Sequence, residues 1–277
     1  MTRRFVLAGR VCVFLLAVAA LASSLTLNAL PLSNAADSAG KHDATAASTP
    51  AGKASVFLVA PSISVAGCPA AIVAGDLNGD GAPDLVVPNA QTGNVDVLLG
   101  DGKGGFQAPV HYKIGGSPVA LVLGDFAGHG KIDIAVANQS GNSVSVLLGK
   151  GDGTFQAAVT YAVGAGPAAL VVGDFNGDGH PDLLVANAGS NSLALLTNDG
   201  DGTFQSAKFY ALSASPLALA IADFNGDGNL DVAAGNSDGT VTILLGDGTG
   251  RLNIAATMNA ATQVSALAVG DFNADGK

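Results

Sequence analysis

Glutamate is missing from this chain: all 22 acidic residues are Asp. Glu is a good helix former, whereas Asp and the 38 glycines prefer turns, so a mostly helical protein is excluded. Tryptophan is also absent, and aromatics make up 5% of the residues. Basic residues are scarce, 12 against 22 acids, for a net charge of −10 over 277 residues. That sign opposes nucleic acid or an anionic membrane as a partner and suits metal cations or plain solubility. Cysteine occurs twice, and Cys12 falls in the leader described next, so the exported part keeps only Cys68 and no internal disulfide. Apolar residues are plentiful. At 48% hydrophobic the chain has ample material for a core, which excludes a disordered protein.

Arg3, Arg4 and Arg10 precede an apolar run from Val11 to Leu21, with small residues at Ala22, Ser23 and Ser24. This is the order of a secretory signal, with cleavage after Ala22 or after Ala35, and the Arg3-Arg4 pair also allows a twin-arginine route. An uncleaved anchor is the alternative, because apolar character persists to Leu32. Ser23, Ser24, Thr26 and Asn28 interrupt it, however, short of the ~20 apolar residues of a span. Either way the remainder lies outside the cytoplasm, secreted, periplasmic or on the cell surface. Residues 1–35 read as leader, 36–54 as a flexible Ala/Ser/Thr-rich tether, and 55–277 as repeats. Val65-Ala66-Gly67-Cys68 looks like a lipoprotein cleavage box, yet it lies inside a repeat, so a buried thiol is expected.

The repeat has a period of 49 residues. Phe57, Phe106, Phe155 and Phe204 keep that step, with Leu252 in the next equivalent place after a one-residue contraction. Pro69, Pro118, Pro167 and Pro216 keep it too, as do Asn89, Asn138, Asn187 and Asn236, and the three tyrosines Tyr112, Tyr161 and Tyr210. In the third unit, apolar stretches run from Phe155 to Val163, Ala168 to Gly173, Leu183 to Ala186 and Ser192 to Thr197, separated by Gly/Asp turns. Short strands at roughly 8–12-residue spacing indicate an all-β chain. Four per unit at this period predict the stacked four-stranded blades of a β-propeller, with the repeated Phe and Tyr packing between blades. Four complete units run from Phe57 to Arg251, and a fifth starts at Leu252. About four and a half units leave a ring incomplete, so the expectation is a truncated chain or a partner that supplies the missing strands.

After the second stretch of each unit comes a nine-residue acidic loop. The first is Asp76-Leu77-Asn78-Gly79-Asp80-Gly81-Ala82-Pro83-Asp84, the third Asp174-Phe175-Asn176-Gly177-Asp178-Gly179-His180-Pro181-Asp182, and the fourth Asp223-Phe224-Asn225-Gly226-Asp227-Gly228-Asn229-Leu230-Asp231. Oxygen side chains recur at positions one, three, five and nine, and Gly at position six permits φ > 0. Three carboxylates so close repel one another unless a hard cation neutralises them, and Ca²⁺, with ~6–8 oxygen ligands in flexible geometry, suits them better than Mg²⁺. The expected ligands are Asp76, Asn78, Asp80, Ala82 and Asp84 in the first loop, and Asp174, Asn176, Asp178, His180 and Asp182 in the third. Asp223, Asn225, Asp227, Asn229 and Asp231 complete the set, the seventh residue giving its backbone oxygen.

An EF-hand is excluded, because the twelfth position holds Val87, Val185 or Ala234 where Glu is required. Turn chemistry alone would explain the Asn-Gly and Asp-Gly steps but not the fixed Asp at position nine. The second copy, Asp125-Phe126-Ala127-Gly128-His129-Gly130-Lys131-Ile132-Asp133, keeps only the outer carboxylates and is expected to fold without metal, with His129 an exposed turn residue. The fifth copy has Asp271, Asn273 and Asp275 but stops before position nine. Asp101, Asp152, Asp199, Asp201 and Asp247 are expected to be plain turn residues.

With its Gly-Asp-Phe-Asn-Gly-Asp-Gly-x-x-Asp loops (cleanest at Gly173 to Asp182) and Leu-Leu-Gly-x-Gly-Asp-Gly-Thr-Phe turns (Leu147 to Phe155), the stretch from Phe57 to Lys277 resembles the FG-GAP/VCBS repeat family, similar to the N-terminal propeller of integrin α subunits. The resemblance implies a seven-bladed ring with Ca²⁺ in the loop between the first two strands of a blade, used for binding or adhesion outside the cell. It departs in blade count and in the second loop. The expectation is a non-catalytic calcium-binding module with an extracellular protein or glycan ligand, contacting membrane only if the leader is retained. The alternative is the propeller part of an extracellular polysaccharide-acting enzyme. His42, His111, His129 and His180 occupy different registers, and no triad or catalytic zinc pattern emerges.

Overall fold

The computed structural model describes residues 63–65 and 67–271; the leader, the tether, Asn273 and Asp275 lie outside them. Among the described residues the chain is sixteen strands and one 3₁₀ turn, Ala188–Ser190. Sheet one comprises β1 (Val73–Gly75), β2 (Asp84–Asn89), β3 (Asn94–Leu98) and β4 (Val110–Lys113). Sheet two comprises β5 (Pro118–Gly124), β6 (Asp133–Asn138), β7 (Ser143–Leu147) and β8 (Val159–Ala162). Sheet three holds β9 (Pro167–Gly173), β10 (Asp182–Asn187), β11 (Ser192–Leu196) and β12 (Lys208–Ala211). Sheet four holds β13 (Pro216–Ala222), β14 (Asp231–Asn236), β15 (Thr240–Gly246) and β16 (Leu252–Asn259). Each sheet is an antiparallel meander in chain order, which is the four-stranded blade expected from the repeat. Among the described residues no helix is long and apolar enough to cross a membrane.

The second strands of sheets two and three read as apolar runs because they are covered on both faces. In β10, Leu183 and Val185 join the core shared with sheet two, while Leu184 and Ala186 join the core shared with sheet four. All four are fully buried. A third core, around Val86, Val97, Leu121 and Ile134, joins sheets one and two. Sheets two and three thus hide one face on each neighbour, which a single unit cannot do, while sheets one and four each share a core with one neighbouring sheet. Prolines 118, 167 and 216 open the edge strands β5, β9 and β13, where a missing N–H is tolerated.

Aromatic pairs bridge consecutive blades as expected. Tyr112 of β4 meets Phe155 edge-on at 5.5 Å, and Tyr161 of β8 meets Phe204 at 5.4 Å. The N–H groups of Phe155 and Phe204 also donate to Tyr112 Oη (3.2 Å) and Tyr161 Oη (3.3 Å). In the next repeat the ring partner is replaced by Leu252, and Tyr210 Oη instead donates to Gly250 O at 2.7 Å. The register asparagines 138 and 236 are buried at strand ends, each donating through Nδ2 to two hydroxyls: Ser143 and Ser145, or Thr240 and Thr242.

Three expectations are corrected. The unit boundary drawn at each Phe is out of phase with the sheets. The stretch after Phe155 is β8, which pairs with β7 as the outer strand of the preceding blade, and Leu252 likewise opens β16, which completes sheet four. A period sets spacing but not phase; short-range pairing across the turn sets the phase. The second stretch of the fifth unit, 264–270, forms no strand. Cys68, expected to be buried, is exposed. It lies outside the strands, in the segment that leads to β1, and so presents its side chain to no core.

Candidate metal-binding loops

Each nine-residue loop connects the first and second strands of its sheet, the position the family resemblance implies: β1 to β2, β5 to β6, β9 to β10 and β13 to β14. The glycines at positions four and six all take positive φ, from 63° to 87°, a conformation that folds the loop tightly back on its first residue. In the third loop the N–H groups of Gly177 (2.7 Å) and Asp178 (3.2 Å) donate to Asp174 Oδ1, and that of Gly179 (2.9 Å) to Asp174 Oδ2. The first and fourth loops repeat these three bonds at Asp76 and Asp223. The Gly228 N–H above all, with Gly226 and Asp227, holds the Asp223 carboxyl below its ordinary range.

The ninth residue has a role that turn chemistry did not suggest. Asp84, Asp133, Asp182 and Asp231 are fully buried. In each, one oxygen accepts the N–H of loop position two, at 2.8–3.1 Å. The other accepts an N–H from the end of the third strand, just beyond it at Gly100, Gly149 or Asn198 and at its last residue, Gly246, in sheet four (2.7–2.9 Å). This carboxylate therefore staples the loop to the far side of its own sheet. Its fixed position is explained by that structure as well as by any metal. Burial pushes the Asp182 carboxyl up to about 6; the N–H groups of Asn198 and Phe175 pull the other way, and the charges of Asp178 and Asp174 add to the rise.

The donor set fits a hard cation by chemistry: every side-chain donor in these three loops is oxygen, and each carboxylate keeps a lone pair that its N–H bonds do not use, on Oδ2 in the first Asp, whose Oδ1 already accepts two N–H groups. The repulsion that Asp174 and Asp178 exert on Asp182 is what a divalent charge would offset. The fifth residues point elsewhere in this structure. Asp178 Oδ1 accepts the His180 N–H at 2.8 Å and Oδ2 accepts Asn176 Nδ2 at 2.7 Å, and Asp80 and Asp227 make the same bonds. The third-position oxygens, Asn78, Asn176 and Asn225 Oδ1, accept the N–H two residues on. The fifth carboxylate of each of these loops is exposed.

Among the described residues, one loop does bring three ligating side chains within 4.8 Å of one another, and it is the second: Asp125, His129 and Asp133. His129 is the exposed turn residue read from sequence, and its ring also contacts both carboxylates, with Nδ1 3.1 Å from Asp125 and Nε2 3.6 Å from Asp133. Sequence reasoning also missed a second pair, His111 Nδ1 to Asp96 Oδ1 at 2.6 Å, in which Asp96 is buried and its Oδ2 has no partner. Alignment of the repeats carries its signal: the equivalent cross-strand position in sheet two is Ser145 facing Thr160. Of the remaining acidic residues, Asp101, Asp152, Asp201 and Asp247 each accept the N–H two residues on, whereas Asp199 accepts Gln205 Nε2 at 2.8 Å.

Four-stranded antiparallel blades stacked through apolar faces, with an Asp-rich loop after each first strand, define a β-propeller-type repeat protein. A profile of the FG-GAP-like repeat matches four overlapping segments, residues 76–128, 125–185, 174–234 and 223–277, so the chain belongs to that family. A search of curated proteins returns no significant match. Similar solved structures include the periplasmic gluconolactonase of Pseudomonas aeruginosa, at TM-score 0.57 and 17% identity over 71% of this chain and 55% of that one. A putative 6-phosphogluconolactonase from Bacteroides fragilis is comparable, at TM-score 0.57, 15% identity and coverage of 72% and 57%. A functionally unknown protein from Desulfotomaculum acetoxidans reaches TM-score 0.58 at 11% identity, with coverage of 75% and 61%. The chain spans somewhat over half the length of these structures, and the likeness is one of fold.

Proposed function

We propose that this chain is a secreted or surface-displayed binding module, non-catalytic, whose loops after β1, β9 and β13 take Ca²⁺ as a structural cation. The observation that carries the reading is the same oxygen donor set at the same place in three sheets, with Asp182 pushed upward in part by its neighbouring carboxylates. Asp76, Asn78, Asp80, Asp84 and the Ala82 backbone oxygen would hold the ion in the first loop. Asp174, Asn176, Asp178, Asp182 and the His180 oxygen would hold it in the third, and Asp223, Asn225, Asp227, Asp231 and the Asn229 oxygen in the fourth. Bound calcium supplies charge neutralisation. The residues themselves do the rest: the first Asp gathers the loop amides and the ninth anchors the loop to its sheet.

The apolar leader supports export, and the net charge of −10 opposes nucleic acid, which leaves an extracellular protein or glycan as the ligand class. Membrane contact follows only if the leader is retained. Calorimetric titration of the full chain tests the metal reading: three equivalents of Ca²⁺ are expected, two for Asp178→Ala and three still for His129→Ala. A wild-type protein that takes up none overturns it.

A further inference from the structure

Sheets two and three meet along a groove to which no acidic loop contributes a residue. Its volume is about 370 Å³, and its walls include Thr160, Tyr161 and Ala162 on one side and Gln205, Ser206 and Phe209 on the other. The floor is the rim of the core that the two sheets share, where Leu196 and Phe204 are buried. Repeat equivalence singles out two of the wall residues. Phe209 pairs with Ala194 across sheet three, and the same position holds His111, Thr160 and Thr257 in sheets one, two and four. A ring thus stands where the other sheets carry a polar side chain, and it is 57% exposed. Ser206 stands where the two preceding 49-residue steps have Ala157 and Ala108. Its hydroxyl has no hydrogen-bond partner among the described residues. Beside it, Gln205 donates through Nε2 to Asp199 Oδ1 at 2.8 Å and keeps Oε1. Both departures from the repeat fall in one groove.

We propose that this groove binds one uncharged pyranose unit of a glycan, an assignment that rests on reading the chain as an extracellular binding module. A pyranose presents a face of C–H groups and a rim of hydroxyls, each able to donate and accept. The exposed ring of Phe209 suits the face, and the Ser206 and Thr160 hydroxyls with Gln205 Oε1 suit the rim. An apolar peptide would cover the ring but leave those polar groups desolvated and unpaired.

Charge and size narrow the class. Apart from the Tyr161 phenol, none of the lining residues ionises, and the net charge of −10 opposes acidic sugars. At the junction of sheets one and two, by contrast, the positions of Thr160 and Ala162 hold His111 and Lys113, so the uncharged wall is particular to sheets two and three. The volume lies at the low end of the roughly 300–1,000 Å³ of small-ligand pockets, which suits a single ring with a glycosidic link leading out.

The test is saturation-transfer NMR of the full chain in calcium-containing buffer with the methyl glycosides of glucose, galactose, mannose and N-acetylglucosamine, followed by titration of those that bind. At least one is expected to bind, with a Kd of roughly 1 mM for a ligand of about a dozen heavy atoms. Phe209→Ala, a change at an exposed ring, is expected to weaken binding at least about tenfold, and Ser206→Ala about threefold. Phe209→Tyr should keep it, and Thr257→Ala, at the equivalent position of sheet four, should leave it unchanged. Absence of transfer to any of these sugars at about 10 mM, transfer that survives Phe209→Ala, or tighter binding of methyl glucuronide than of methyl glucoside overturns the assignment. So does binding of a capped Val-Thr-Val-Thr peptide without any sugar, because the groove would then be a peptide site. Calcium counted by calorimetry on the same sample reports separately on the metal reading, so either can fail without the other.

Discussion

Consider withdrawal of calcium from the full chain. The ion binds the folded loop and not the unfolded chain, so each site stabilises by RT ln(1 + [Ca²⁺]/Kd). Extracellular modules bind with Kd of ~10⁻⁴–10⁻³ M, and at about 10 mM Ca²⁺ this gives roughly 1.4–2.7 kcal/mol per loop. Three loops, at Asp76–Asp84, Asp174–Asp182 and Asp223–Asp231, therefore contribute about 4–8 kcal/mol together. For an array of this size that corresponds to a fall in Tm of roughly 8–30 °C on adding EGTA. Paired thermal melts in CaCl₂ and EGTA, with MgCl₂ as a control, read the difference directly. Asp178→Asn isolates one loop. Its carboxylate is exposed and bonds only within the loop, so without calcium the substitution is expected to shift the melt little. In CaCl₂ it should remove about a third of the gain. Equal melts for the wild type in both buffers would refute the reasoning, as would an Asp178→Asn shift of the same size in both.

The staple carboxylates can be tested where calcium plays no part. Asp133→Ala strands the buried amides of Phe126 and Gly149 and the part-buried one of Ala127, and is expected to destabilise by about 3 kcal/mol or more in urea melts, with or without EGTA. Asp125→Ala, in the exposed part of the same loop, should shift the midpoint far less. A pH series probes Asp182, whose folded carboxyl sits near 6 against an ordinary 3.8. The folded state then holds an extra proton between those values, so in EGTA stability falls as pH rises through that window, by up to about 3 kcal/mol. Melts from pH 4 to 7.5 should show this decline in EGTA and a weaker one in CaCl₂, where the ion favours the ionised form. The double variant Ala127→Asn/His129→Asp rebuilds the sister sequence in the second loop, and calorimetry should count a fourth calcium equivalent.

How much of this was legible in sequence depends on the kind of information each feature needs. The blades were readable because the 49-residue step of Phe, Pro, Asn and Tyr repeats without a gap, and because β6 and β10 carry the apolar runs of a strand covered on both faces. Blade phase was not, because a period is the same wherever counting starts; only the pairing of β8 with β7 settles it. The acidic loops were legible as loops, and their positive-φ glycines fell where the turn required them. The ninth Asp was recognised as special but for one reason when the structure supplies two. Its bonds to Gly100, Gly149, Asn198 and Gly246 run sixteen or fifteen residues along the chain, a distance that no local motif records. The contact of the His129 ring with both carboxylates was hidden for a simpler reason: spacing places a side chain on a loop but does not choose its rotamer.

The offset between repeat and blade also bears on how such genes can be cut and rejoined. A crossover placed at a Phe codon, where the sequence looks as though one unit ends, would part the outer strand from the blade it completes and leave unsatisfied backbone edges on both sides of the join. A crossover within 114–117, between β4 and β5, would transfer whole sheets. Exchange among repeats of this kind is therefore constrained by a seam that protein sequence comparison alone would draw in the wrong place.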